Sequence, residues 1–190
     1  MKSERARIVA DASLEVLAAK GMRGLTHRAV DETAGLAYGS TSNLARTREA
    51  LLELGLTRLM EIEADRFSRF PSGDLGQGPE AFAEFAAQSI HLLINEHRRI
   101  TQARYEMALE ATRSPRLRKI YDEAGVLPRR YTADLLAATG FQDAERRGRV
   151  MVSMIDGIIF DAIAGAGGQP SLDELRRTLR EILEGMWHSG

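Results

Sequence analysis

The chain has 190 residues, 44% hydrophobic and 28% charged, with 26 basic against 27 acidic side chains and a formal net charge of −1, enough to bury a sizeable core in one domain or two. It contains no cysteine, which excludes structural disulfides, thiolate metal sites and a cysteine nucleophile. No stretch approaches the roughly 18 apolar residues of a membrane span, and the charged N-terminus lacks a following apolar signal segment, so a cytoplasmic protein with no membrane attachment is expected.

The first predicted helix carries Val9, Ala12, Ser13, Val16 and Leu17 at the spacing of a single buried face. Lys20 and Gly21 close it, a cation in the last turn followed by a residue that tolerates positive φ. The segment from Leu25 to Leu52 then places two short helices around a glycine turn. Thr26 caps the first of them, whose less polar positions are Ala29, Val30, Thr33 and Ala34; Gly35 ends it, and Leu36 pins the turn to the core. The second is expected from about Tyr38 to Leu44, with Tyr38, Ser40, Thr41, Ser42 and Asn43 exposed as short polar or aromatic groups suited to base edges and phosphate oxygens. This is the layout of a helix-turn-helix DNA reader. Charge agrees: residues 1–48 carry eight basic against five acidic side chains, a net of +3, while the remainder carries −4.

Residues 5–52 resemble the N-terminal domain of the tetracycline-repressor (TetR) family of transcriptional regulators, with no insertion or deletion in that window. The likeness runs through Val9, Ala12, Val16, Leu17, Lys20, Gly21, Leu25, Thr26, Val30, Ala34, Gly35, Leu36, Gly39 and the run Arg48 to Leu52. Two departures stand out. Ala37 occupies the position where the family usually has a Ser or Thr cap, and Ser42, Leu44 and Ala45 replace its usual aromatic run. A lost cap costs roughly 0.5–2 kcal/mol, so Ser40 or a neighbour must cap the reading helix or leave it marginal.

Beyond residue 48 the pattern stays helical. Helices are expected from Thr47 to about Phe70, Glu80 to Asn95, His97 to Thr112, Pro115 to Thr139, Ala144 to Ala166 and Leu172 to Trp187, with Pro71 to Pro79 as a loop and Ser171 capping the last. The total is about nine helices in an all-α chain, divided into a helix-turn-helix DNA-binding domain over 1–48 and a helical effector-binding and dimerisation domain over 49–190.

In the penultimate helix Met151, Met154, Ile155, Ile158, Ile159 and Ala162 form one stripe, widened by Val152, Phe160 and Ile163; a helix apolar on more than one side must be buried on more than one side. In the last helix Leu172, Leu175, Leu179, Ile182 and Met186 step by the spacing of packed helices. The resemblance implies that these two helices from each of two subunits form a four-helix interface. Expected interface residues are therefore Met151, Ile155, Ile158, Ile159, Ala162, Leu175, Leu179, Ile182 and Met186.

The resemblance also implies a ligand pocket within roughly residues 80–140. Apolar candidates are Phe82, Phe85, Leu92, Tyr105, Met107, Leu109, Tyr121, Leu127 and Tyr131, with His91, Gln102, Arg104, Glu106, Asp156 and Asp161 as polar ones; Phe85, His91, Arg104, Tyr105, Tyr121 and Asp156 lead the set.

The DNA contacts expected are Thr26, His27, Arg28, Tyr38, Gly39, Ser40, Thr41, Ser42, Asn43, Arg46 and Arg48, the basic ones on phosphates. The function expected is a ligand-responsive repressor that binds a palindromic operator in double-stranded DNA as a homodimer and is released by a small-molecule effector, with no cofactor and no metal. An enzyme is not expected: no glutamate has a histidine three residues later, as a di-iron bundle would need, and the four histidines show no spacing to a serine nucleophile. The competing reading is a helical adaptor whose N-terminal unit binds a protein partner.

Overall fold

The computed structural model describes residues 3–70 and 78–188. Among them every regular element is a helix: α1 (Glu4–Gly24), α2 (His27–Thr33), α3 (Ser40–Leu44), α4 (Arg48–Ser68), α5 (Pro79–Ile94), α6 (Arg98–Ala111), α7 (Pro115–Ala124), α8 (Val126–Ala138), α9 (Ala144–Ala164) and α10 (Leu172–His188). The loop expected over Pro71 to Pro79 falls largely on residues 71–77, which lie outside the described residues; Pro79 is the first residue of α5.

These ten segments equal the nine expected once α7 and α8 are taken as one helix interrupted at Gly125. The cause is Pro128, which has no N–H to donate and whose ring crowds the carbonyl four residues back, so it is tolerated only in the first turn of a new helix. The capping signals translate directly. Gly21 takes φ 64° and kinks α1, Thr47 Oγ1 accepts from the Ala50 amide (3.1 Å) at the start of α4, and Ser171 exchanges hydrogen bonds with Glu174 in a capping box at the start of α10.

The chain divides into two compact units, Met1–Arg66 with Arg99–Ala124, and Phe67–Arg98 with Gly125–Gly190. The first holds α1 to α3, α4 up to Arg66, α6 from Arg99 and α7, around a core of Val9, Leu14, Val16, Leu17, Leu25, Val30, Leu51, Leu56, Leu59, Met107 and Leu117. Each such side chain withdrawn from water stabilises the fold by about 1.5–3 kcal/mol. The second unit packs α8 on α9 and α5 on both α9 and α10, burying Phe82, Ile90, Ile94, Leu136, Met151, Ile159, Leu175, Leu179 and Leu183. Paired arginine forks join α5 to α10: Arg176 donates to both oxygens of Glu84 (2.8 Å each) and Arg180 to both of Glu80 (2.6 and 2.8 Å).

Helices α8 and α9 approach closely at Gly148 of α9, where a methyl would lie 2.9 Å from Ala133 N and Cα on α8. Gly148→Ala should therefore destabilise the protein by about 1–3 kcal/mol in urea unfolding. Gly185→Ala in α10, where nothing stands within 4 Å of the added methyl, should gain up to about 1 kcal/mol from helix propensity alone. Equal stability of the two variants would show that α8 and α9 can part without cost.

Candidate nucleic-acid interface

The two short helices are seated on α1 and α4 by Leu25, Val30, Ala45 and Leu51, all buried in the core of the first unit. The Ala29 amide donates to Thr26 Oγ1 (3.1 Å) and starts α2. Its end is a Schellman turn: Gly35, at φ 63°, donates to the Glu32 carbonyl (3.3 Å) and Leu36 to the Asp31 carbonyl (2.9 Å). Leu36 then packs against the core.

The reading helix starts at Ser40 rather than Tyr38, because Gly39 takes φ 86° immediately before it and leaves Tyr38 in the turn. Ala37 offers no cap and neither does Ser40. The cap comes from α2: Asp31 Oδ1 accepts from the Thr41 amide (2.8 Å) and the Thr41 hydroxyl (2.6 Å), and Oδ2 accepts from the Gly39 amide (2.8 Å). Asp31 is 3% exposed. Burial by itself raises the carboxyl's pKa, but the hydrogen bonds from Thr41 and Gly39, with the nearby His27, outweigh it and hold Asp31 below its ordinary 3.8. A second brace comes from α1, where Arg5 Nη2 donates to Ser40 Oγ (2.9 Å).

These bonds correct the expected reading surface. Ser40 and Thr41 are buried, their hydroxyls turned inward to Arg5 and Asp31, so neither faces a base. His27 is committed as well, its Nε2 donating to the Ala45 carbonyl (2.6 Å), and the Thr26 hydroxyl serves as a cap. Left facing solvent are Tyr38, 87% exposed, with Ser42 and Asn43 on the outer side of α3. Around them Arg28 pairs with Glu32 (2.9 Å), and Arg48 donates to the Met22 carbonyl (2.8 Å) while lying 3.7 Å from Glu110 of α6. Glu106, one turn earlier on α6, accepts from the Met22 amide (3.1 Å), so the two polar backbone atoms beside the α1 kink are held from different helices, the amide by α6 and the carbonyl by Arg48 of α4. Arg46 is exposed and makes no ion pair among the described residues.

Sequence reasoning missed Asp31 and Arg5. The available signal was a carboxylate one residue after buried Val30 and three before Ala34, in a reading head whose usual cap position holds alanine.

The expected pocket residues divide between the two units. Arg104, Tyr105 and Tyr121 belong to the first unit; Arg104 lies 3.8 Å from Glu63 and stacks on the Tyr105 ring at 4.7 Å, and Arg118 stacks on Tyr121 at 4.9 Å. Phe85, His91 and Asp156 belong to the second. There Phe85 joins Phe67, Phe70 and Tyr131 in a set of rings whose centroids lie 5.1–6.2 Å apart, and burial pushes the Tyr131 hydroxyl up to about 12.

Of the expected interface residues, Met151, Ile159, Ala162, Leu175 and Leu179 are buried within the chain itself and so are not available to a partner; Ile155, Ile158, Ile182 and Met186 are half-buried. The apolar side chains that α9 leaves facing solvent are Val150, Met154 and Phe160, at 37, 40 and 46% exposure. Among the described residues no group of three or more His, Cys, Asp and Glu side chains could hold a metal ion, and no helix is long and apolar enough to cross a membrane.

Residues 77–187 match the family model described as the tetracyclin repressor-like C-terminal domain. Among solved structures, a transcriptional regulator from Rhodococcus sp. Rha1 superposes with a TM-score of 0.79 at 22% identity, over 98% of this chain and 97% of that one. A member of the TetR family from Streptomyces coelicolor A3 gives 0.74 at 25% identity, over 97% and 99%. The multidrug binding protein EbrR complexed with ethidium gives 0.71 at 26% identity, over 97% and 99%. No curated protein matches the chain.

The low pKa of Asp31 sets the sign of a pH effect. Its stabilisation is fully present above the ordinary value of 3.8 and is lost as the pH falls through the lower value of the folded state. The stability gap between the wild type and Asp31→Asn, read by urea unfolding, should therefore be widest near neutrality and close as the pH drops below 3.8. A gap that stays constant from about pH 6 to 3 would show that the ionised form is not what the donors hold.

Proposed function

The chain belongs to the tetracycline-repressor family of transcriptional regulators, and on that premise we propose that it is a repressor that binds a palindromic operator as a homodimer and releases it when a small molecule binds. In this reading residues 1–48 carry DNA recognition, residues 49–190 carry effector binding and dimerisation, and the protein works in the cytoplasm beside its DNA. The observation that carries the proposal is the two-sidedness of α3, with Ser40 and Thr41 anchored inward while Tyr38, Ser42 and Asn43 stand free on the outer side. A helix meant only for packing has no need of an uncharged polar outer face beside an unpaired cation such as Arg46. Tyr38, Ser42 and Asn43 are assigned to base edges or adjacent phosphates, and Arg46 to a phosphate, with Arg28 and Arg48 able to join it by exchanging their carboxylate partners.

Dimerisation is assigned to the outer face of α9. Val150, Met154 and Phe160 are the exposed apolar side chains of α9, and Gly157, three residues from each of the last two, presents open space in which a partner helix can approach. A two-fold pair would set its reading helices in successive major grooves, about 34 Å apart or a multiple of that. The effector would act by binding more tightly to one spacing of the two heads than to the other, an effect limited by that difference in affinity. EbrR, seen with ethidium and with proflavin, supports a small-molecule effector, and the half-buried rings of Phe67, Phe70, Phe85 and Tyr131 supply a lining for part of its site.

Selection of bound duplexes from a random pool should yield an inverted repeat. On that duplex Asn43→Ala should cost roughly 1–3 kcal/mol if the amide reads an adenine, with little change on unselected DNA. Arg46→Ala should weaken binding to every duplex and lower the slope of log affinity against log salt by about one unit. Selection that enriches no sequence, or equal losses for Asn43→Ala on both kinds of DNA, would refute base reading by α3.

Phe160→Asp should convert the protein to a monomer in sedimentation while leaving its helical circular dichroism unchanged, since the ring is exposed within the subunit. A variant that still sediments as a dimer would remove α9's outer face as the interface.

A further inference from the structure

The reading head holds an interior charge that no DNA contact requires. Asp31 lies on α2, faces away from solvent, and has both oxygens filled by donors from one short stretch, Gly39 to Thr41. A carboxylate removed from water is costly unless it is matched by donors, so the arrangement holds only while those donors stay in place. The constraint runs both ways. The helix it grips is five residues long, too short to be stable alone, and it has no side-chain cap of its own.

We propose that Asp31 is a positioning residue for sequence-specific DNA recognition: reaching across from α2, it fixes the first turn of α3 before DNA arrives, so that Tyr38, Ser42 and Asn43 meet the groove already aimed. The proposal rests on the operator-binding reading above. Its physical consequence is selective. Base-edge hydrogen bonds demand a fixed orientation, and a helix ordered in advance avoids the cost of ordering on binding, whereas phosphate contacts by flexible arginines tolerate a loose helix. Loss of the Asp31 bonds should therefore lower specific affinity far more than non-specific affinity. Mere destabilisation of the head would lower both.

The test uses Thr41→Val, which keeps the buried shape but removes the hydroxyl donor, and Thr41→Ser, which keeps the donor. Amide hydrogen exchange is measured on the free proteins, and affinity on a duplex of about 30 base pairs enriched from a random pool, long enough for two half-sites one turn apart, and on an unselected duplex of equal length. For Thr41→Val, faster exchange at Gly39 and Thr41 is expected, with about tenfold weaker binding to the enriched duplex and less than about twofold change on the unselected one. Thr41→Ser should stay within about threefold of the wild type on both. Undiminished affinity of Thr41→Val for the enriched duplex, or equal losses on the two duplexes, overturns the proposal alone. If the wild type enriches no sequence, the operator-binding reading falls and the proposal with it.

Discussion

The carboxylate of Asp31 is the constraint on which the reading head depends. It is an ionised group inside a domain of modest size, and the Gly39 amide, the Thr41 amide and the Thr41 hydroxyl meet it from one segment. Each of these bonds is charge-assisted, and such bonds contribute about 1.5–3 kcal/mol where neutral ones contribute about 1. Their sum exceeds what a Ser or Thr at position 37 would supply as an ordinary cap. The head thus replaces a local device with a tertiary one. A local cap fixes only where a helix begins; a cap reaching from a neighbouring helix also fixes the angle between the two. Arg5 adds a third helix to the same joint by holding Ser40.

That choice has a consequence for charge. The net +3 of residues 1–48 overstates the cation available to phosphates, because Arg28 is paired with Glu32 and Arg48 stands between Met22 and Glu110. The Arg28 pair is exposed on both sides and the Arg48 pair on the arginine's side, and pairs open to water hold weakly, typically below about 1 kcal/mol. A phosphate can therefore replace either carboxylate at little cost. Among the described residues Arg46 has no such partner to leave. In the proposed reading, encounter with DNA would be governed by a few exchangeable arginines of short range at physiological salt, while discrimination would fall to neutral groups on α3.

How far the sequence could be read follows from the range of each interaction. Thr26, Gly35, Thr47 and Ser171 act within a few residues of themselves, and each does in the structure what its local chemistry predicts; Gly21 takes the positive φ expected of it but kinks α1 rather than closing it, the helix running on to Gly24. The break between α7 and α8 was also written in the chain, in Pro128, but was hidden by the apolar continuity on either side of it. The roles of Ser40 and Thr41 were not written there, because a hydroxyl on a short helix is equally suited to a base or to a buried carboxylate, and only the packing of α2 decides. The same holds for α9, where periodicity identifies apolar positions without saying which side the chain's own helices cover. Met151 and Ile159 went inward against the subunit; Met154 and Phe160 did not.

The outward residues of α9 make the argument for a partner sharper than the full stripe could. Apolar side chains are common on protein surfaces when scattered, and Leu109 on α6 is exposed without any such implication. Val150, Met154 and Phe160 differ because they sit together on the side of α9 that the subunit's own helices leave open, beside the side that Met151 and Ile159 bury. A helix whose apolar surface extends beyond the side its own subunit covers has more of it than a single subunit needs. In the proposed dimer a copy of the chain would cover that surface without any further component, and the same two-fold pairing would give each α3 a symmetry-related mate on the duplex.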